Sequence, residues 1–492
     1  MKKLISIILA AVLMAGVAGC GTKTQESGKG DTVKWYLFSN PGNVNEKDIF
    51  AEAQRMAKEK TGVDLEIIPI ESGDYESKMQ ILTASNEPFD IMFTSNWLNN
   101  YYMNVSKNAI LPLDDYLKDY PELYNSMPEY FWDSMKVKGK IYAVPNQQIV
   151  ARGPFFAIPE QNMELLGFTD ADFEGAGENY KTALAAVEKY LRAVKEKTGN
   201  YCNLNKIWND GTQMFNIEEV VGSLLPGAIQ LDNETDKYKL INQYESEEFK
   251  YYIKMRRKWV EEGLVMPSEE TERDLDHVED PTAIVPNITR GNCYKPNVLS
   301  ELNRNSDYDW KIIFKCRPIT TSGSVAATMN AISATSKNPE GALKIIQLVD
   351  TDAEFYNLLV YGLEGVNYTK TGENSIELNP DMPYTWTEWN VGNTFNKYNL
   401  PGEPDNFAEE VEKINDESFK SPLLGFSPDL DNVKVEVSAC QSAVSEYLNL
   451  LDYGLVDVDS SYPEFIKKLK AAGCDKLISE VQRQVDEWVA QQ

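Results

Sequence analysis

Histidine is all but missing. His277 is the only one in 492 residues, and it stands in the acidic stretch SEETERDLDHVEDP, residues 268–281. That scarcity argues against Ser-His and Cys-His chemistry, which needs an imidazole beside the nucleophile. No G-x-S-x-G turn, phosphate-binding glycine loop or H-E-x-x-H pair occurs either. Cysteine is scarce and badly spaced. Beyond Cys20 there are Cys202, Cys293, Cys316, Cys440 and Cys474, with no C-x-x-C among them. An odd, scattered set makes neither a disulfide framework nor a zinc site, and Cys293 with Cys316 is the one pair worth considering. Basic residues are short too, 48 against 76 acidic ones, for a net charge of −28. Such a surface repels phosphate backbones and anionic headgroups, so no nucleic acid partner is expected. Residues 268–281 read as a solvated acidic loop rather than a metal site, and no cofactor is implied. Long apolar runs are absent as well: Leu4 to Met14 falls short of the roughly 20 residues that span a bilayer.

That short run does have a use. Lys2 and Lys3 precede it and small residues follow it to Gly19, the plan of a cleaved export signal over residues 1–19. Losing those two lysines takes the net charge from −28 to −30. Val17-Ala18-Gly19-Cys20 resembles the lipobox of bacterial lipoproteins. The resemblance implies that Cys20 becomes the N-terminus and carries a diacylglycerol anchor. Two acyl chains hold where one does not, because each buried CH₂ contributes only about 0.8 kcal/mol. Residues 20–31, rich in Gly, Ser, Thr and Lys, bury no apolar surface and read as a flexible tether. About 470 residues remain, enough for two or three domains with real cores.

The mature chain opens with strand and helix in alternation. Strands are expected at Val33–Phe38, Val63–Ile68 and Phe89–Thr94, with helices at Glu46–Thr61, stopped by Gly62, and at Tyr75–Ala84. This order argues for a parallel sheet flanked by helices. Ligands of such sheets sit beyond the C-terminal strand ends, here Ser39–Asn43 and Ser95–Trp97. KGKIYAVPNQQ, residues 138–148, reads as a hairpin turn leading into a crossing segment. Long helices follow at Tyr180–Lys197 and Phe249–Glu262, and Val325–Ser333 reads as a strand. Asn338 and Pro339 cap and start a helix, and Thr351 with Glu354 makes the capping box of the next. Helices at Tyr462–Ala472 and Asp475–Val489 end the chain.

Several stretches resemble the extracellular solute-binding proteins of ABC importers, in the branch that includes sugar-binding lipoproteins. They are Glu87-Pro88-Phe89-Asp90-Ile91 followed by Leu111-Pro112-Leu113-Asp114-Asp115-Tyr116, then Gly139-Lys140-Ile141-Tyr142-Ala143-Val144-Pro145, and Asn338-Pro339-Glu340-Gly341-Ala342. Tyr361-Gly362-Leu363-Glu364-Gly365 to Tyr368, and the region from Leu424 to the end, resemble one subgroup. The resemblance implies an α/β, two-lobed periplasmic-binding-protein-like fold, each lobe a mostly parallel sheet flanked by helices, joined by crossing hinge segments. One lobe is expected at 32–146 and 325–375, the other at 147–324 and 376–492. Crossings are expected near Pro145, near Gly323-Ser324 and in the 370s to 390s. It also implies a small-molecule carbohydrate ligand held in the cleft by hinge closure, ABC permease subunits as partners and no enzymatic activity.

Sugars present hydroxyls and flat C–H faces, so their sites need planar amides, charged donors and exposed aromatics. Trp97 follows a strand at its ligand-facing end and reads as a stacking surface or as core. Asn40, Asn43 and Asn96 share those strand ends, as contacts or as turn residues. Gln147, Gln148 and Arg152 follow the first crossing, Arg152 as a contact or a surface ion pair. Arg290, Trp386 and Trp389 complete the candidates, while Asn367 and Tyr368 read as holding a turn. A peptide binder, with Arg152 or Arg290 holding a terminus, is the alternative within the same fold. A cell-surface glycoside hydrolase needs only two carboxylates, and an adhesive lipoprotein needs no site at all. Gly21 and the acidic surface fit the outer face of a Gram-positive cell, and with no sequence sign of an oligomer a monomer is expected.

Overall fold

The computed structural model describes residues 32–39, 43–85, 87–209, 211–267 and 275–492. Cys20, Asn40, the signal, the tether and the first half of the acidic stretch lie outside them.

The alternating N-terminal pattern builds a five-stranded sheet. Thr32–Ser39 lies in its interior, parallel to Asp64–Glu71 on one side and to Ile91–Thr94 on the other. Helix Glu46–Thr61 joins the first two, burying Ile49, Ala53, Met56 and Ala57, and stops at Gly62, whose φ of 76° suits a residue without a Cβ. Met329–Ile332 pairs antiparallel with Ile91–Thr94 and with Ala143–Pro145, the far edge strand. Pro145 is tolerated there because an edge strand has an unpaired side. One strand of this sheet therefore comes from a segment that returns after the chain has built a second region.

The second region has a smaller sheet. Phe155–Pro159 is its centre, with Thr289–Gly291 and Trp310–Lys315 antiparallel on either side. Among the described residues, a mostly parallel sheet is thus found in the first region only. The two outer strands here keep partly exposed residues, which antiparallel pairing tolerates better than parallel pairing does. Helices Tyr180–Thr198, Glu247–Glu261, Lys434–Asp452, Val458–Ala471 and Cys474–Val489 surround this part of the molecule.

The expected strand at 325–333 is two elements: a capped helical turn, Ser322–Val325, and then Met329–Ile332. Asn338 caps Pro339–Thr351 through Gly341 N–H. The next cap falls on Asp352 rather than Thr351. Its carboxylate accepts from Phe355 N–H and also meets Lys60 Nζ, a charge partner that a hydroxyl lacks. Asn367 holds its turn, accepting from Leu363 N–H and donating to Met382 C=O. Cys293 and Cys316 do not pair; both are free thiols, and Cys293 Sγ lies 3.4 Å from Ala151 C=O.

Segments pass between the regions side by side. Arg152 and Ile319 form an antiparallel bridge, and Ile319–Thr320 pairs with Phe419–Lys420. Asn415 clamps them, accepting from Val150 and Ala151 N–H and donating to Gln148 C=O. The third passage thus runs near residue 420. Residues 384–399 instead bond to the first sheet's surroundings: Asn390 donates to Phe38 C=O, Asn330 to Val391 C=O, and Tyr384 to Leu359 C=O.

Candidate functional site

Beyond the C-terminal end of strand Ile91–Thr94 the chain makes a tight loop. Ser95 Oγ accepts from Trp97 and Leu98 N–H, Asn99 takes a φ of 48°, and Asn100 caps the short helix Tyr101–Ser106. Asn96 donates to Gly323 C=O at 2.9 Å and Trp97 Nε1 to Ala327 C=O at 2.8 Å. The indole edge meets Phe38, Phe93 and Trp389 at centroid distances of 6.4, 6.2 and 5.9 Å. Half of Trp97 nevertheless stays exposed, 50 %. Backed by aromatics and pinned by its N–H, this ring is a pre-set flat surface.

It faces a cavity of about 840 Å³, within the roughly 300–1,000 Å³ usual for ligand sites. The first region supplies Trp97 and residues near it, Asn96, Asn100 and Lys107 among them. The second supplies polar side chains from separate loops and one helix: Arg152, Asn209, Gln213, Asn292 and Gln441. Among the described residues, none of these five makes a side-chain hydrogen bond or ion pair, so their donors and acceptors are unspent. The stacking surface and the hydrogen-bonding groups thus come from opposite walls.

The carboxylates at the cavity are more occupied. Glu76 accepts from Asn99 N–H and from Gln80 Nε2, the latter at 2.8 Å. Glu218 is 4 % exposed and accepts from Ser421 Oγ. Burial pushes its pKa up to about 7, and the serine bond offsets only part of that rise.

Of the residues singled out by sequence, Asn96, Trp97 and Arg152 are brought together here. The others stand elsewhere. Gln147 and Gln148 are buried, their amides spent on Ser126 Oγ and Thr328 Oγ1. Asn43 accepts from Thr385 N–H. Arg290 donates to Lys206 C=O at 3.1 Å, behind the loop that carries Asn209. Trp386 is buried against Phe50, and Trp389 stands behind Trp97. Asn209, Gln213, Asn292 and Gln441 escaped sequence reading. They sit on turns, or on a helix whose Val- and Ser-rich start, KVEVSACQSAV, hides its periodicity.

The loop bearing Asn209 is held by a buried acid. Asp452 accepts from Ile207, Trp208 and Asn209 N–H at 3.1, 3.3 and 3.0 Å, and from Tyr252 OH. Arg256, fully buried, donates to Leu204 C=O at 2.7 Å beside it.

Comparison with known proteins fits this geometry. Residues 43–247 match the family model described as bacterial extracellular solute-binding protein, and residues 422–490 match a domain of unknown function, DUF3502. A carbohydrate ABC transporter substrate-binding protein of Streptococcus pneumoniae serotype 4 is 32% identical over 97% of this chain and 96% of its own. The crystal structure of the N-glycan transport solute binding protein NgtS from Streptococcus pneumoniae superimposes with a TM-score of 0.76 at 30% identity, covering 93% of this chain and 99% of that one. Its complex with Man5GlcNAc gives 0.75 at 29% identity, covering 94% and 99%. This chain belongs to the bacterial extracellular solute-binding proteins, the substrate-binding components of ABC transporters.

Proposed function

We propose that this protein captures an oligosaccharide in the cavity beside Trp97, closes on it by hinge motion and hands it to the permease subunits of an ABC importer. The observation that carries this reading is the division of the walls: a half-exposed, braced indole on one side and five unspent polar side chains on the other. A sugar ring has the matching two-sided chemistry, with C–H groups on its faces and hydroxyls at its rim. One lobe is built on the five-stranded sheet, 32–146 with 325–375, and takes in the 384–399 segment bonded to it. The other comprises 147–324 and the chain beyond the third passage near residue 420. Ligand touching both walls favours the closed state by differential affinity. Asn96, Trp97 and Arg152 are contact residues in this reading, and Cys20 carries the lipid that keeps the protein on the outer face of the membrane.

The test is titration calorimetry of the soluble chain from residue 21 with Man5GlcNAc and with short peptides. Glycan binding is expected. Trp97→Ala should weaken it by roughly thirtyfold, the equivalent of about 2 kcal/mol for an uncovered ring face. Binding of peptides alone would overturn the substrate, and cleavage of the glycan during titration would overturn a purely binding role.

A further inference from the structure

The C-terminal region 422–490 matches a model to which no function is attached, yet one of its helices forms part of the cavity wall. Helix Lys434–Asp452 sets Val437, Gln441, Ser445 and Asn449 four residues apart, hence along one face. Val437 and Gln441 border the main cavity. Further along, Gln441, Ser445, Leu448 and Asn449 border a second cavity of about 270 Å³, opposite Lys206 and Leu224. Asn209, Leu224 and Gln441 line both, so the two spaces adjoin there. The smaller one falls below the roughly 300–1,000 Å³ of a self-sufficient ligand site. Its size suits an extension of the first.

The divider is unusual. Leu224 has a φ of 62°, a left-handed conformation that a bulky residue adopts only where its surroundings impose it. Tyr244 OH donates to its carbonyl at 2.6 Å. The opposite wall is tied to the same helix, because Asp452 at the helix end gathers the N–H groups of Ile207, Trp208 and Asn209. Leu224 and the loop opposite are thus fixed in place, and Lys206 Nζ reaches Asn449 Oδ1 at 3.4 Å between them. Apolar Leu224, Val444 and Leu448 alternate in the second cavity with the polar ends of Gln441, Ser445 and Asn449, the mixture that a sugar ring takes.

We propose that helix Lys434–Asp452 provides a second subsite beyond Leu224, which takes the outer sugar units of a longer or branched oligosaccharide. This inference rests on the oligosaccharide reading above.

The test compares Man1GlcNAc and Man5GlcNAc by calorimetry on the lipid-free full mature chain and on Ser445→Trp and Asn449→Ala. Both residues are exposed on the helix. Ser445→Trp, which fills the second cavity, is expected to weaken Man5GlcNAc by about tenfold or more and Man1GlcNAc by less than about twofold. Asn449→Ala should shift the same way by a smaller factor, and it decides the matter if the tryptophan variant melts early. Equal weakening of both glycans, or unchanged binding of both, overturns the second subsite while leaving the main site standing. Failure of either glycan to bind the wild-type chain, with peptides binding instead, overturns the substrate reading and the subsite with it.

Discussion

Glu218→Gln isolates the energetic cost of one buried acid. Glu218 lies in the short strand Ile217–Glu219, almost without solvent, with Ser421 Oγ as its hydrogen-bond donor. Burial raises its pKa from 4.5 to about 7. In the unfolded chain the carboxyl ionises near the lower value. Between about pH 4.5 and 7 the folded state therefore holds a proton that the unfolded state has released, and stability falls as pH rises through that window. The full cost above pH 7 is about 3 kcal/mol, taken from the displacement of the pKa at about 1.4 kcal/mol per tenfold change in proton affinity. Glutamine keeps the shape and the acceptor for Ser421 but has nothing to ionise. The assay is thermal unfolding of ligand-free wild type and variant from pH 4.5 to 8 at constant ionic strength. The difference between the two proteins is the readout, because every other titrating group is shared. The variant's advantage should grow with pH and level off above 7, reaching about 6–12 °C if 1 kcal/mol moves the midpoint by about 2–4 °C. A difference that stays constant across the range, or that favours wild type as pH rises, refutes the reasoning.

Glu403→Ala should cost about 3–5 kcal/mol in denaturant unfolding, because it leaves the buried Lys397 ammonium without its main partner. Burial alone would raise the pKa of Glu403, but the charge and hydrogen bond of Lys397, with Asn297 and Leu400 N–H, outweigh it and hold the carboxyl low. The penalty of the variant should therefore shrink as pH drops through the ordinary carboxylate range, and a penalty independent of pH would count against the pairing. Asp452→Asn turns an amide N–H₂ toward groups that already donate; a loss of about 1–3 kcal/mol is expected, with weaker glycan binding measured by calorimetry through Asn209. Unchanged affinity would show that the loop needs no such tether. Cys20→Ala should move the protein from the membrane fraction to the culture medium on immunoblots, and retention in the membrane would refute lipid anchoring at that residue.

Much of the local structure was legible in the chain. Helix Glu46–Thr61 shows its apolar spacing and its Gly62 stop, and Asn338-Pro339 announces a helix start. The three parallel strands carry their runs openly, because periodicity and caps depend on neighbours within a few residues. Trp97 and Asn96 were legible for a related reason: a strand end in a parallel sheet is a predictable place. Trp386, Gln147 and Gln148 have the same side-chain types as sugar contacts, and only burial by distant segments gives them to the core and hinge.

What the sequence determined by itself is the kind of object: an exported α/β chain with a helix-flanked parallel sheet and an aromatic at its ligand-facing edge. The tertiary structure decided what stands opposite that aromatic. Asn209, Gln213, Asn292 and Gln441 lie on segments far apart in the chain and meet only because Asp452, Asn415 and the paired crossing strands hold those segments together. A binding wall assembled through long-range hydrogen bonds leaves no periodic trace in the sequence, since nothing within a few residues of any member requires the others.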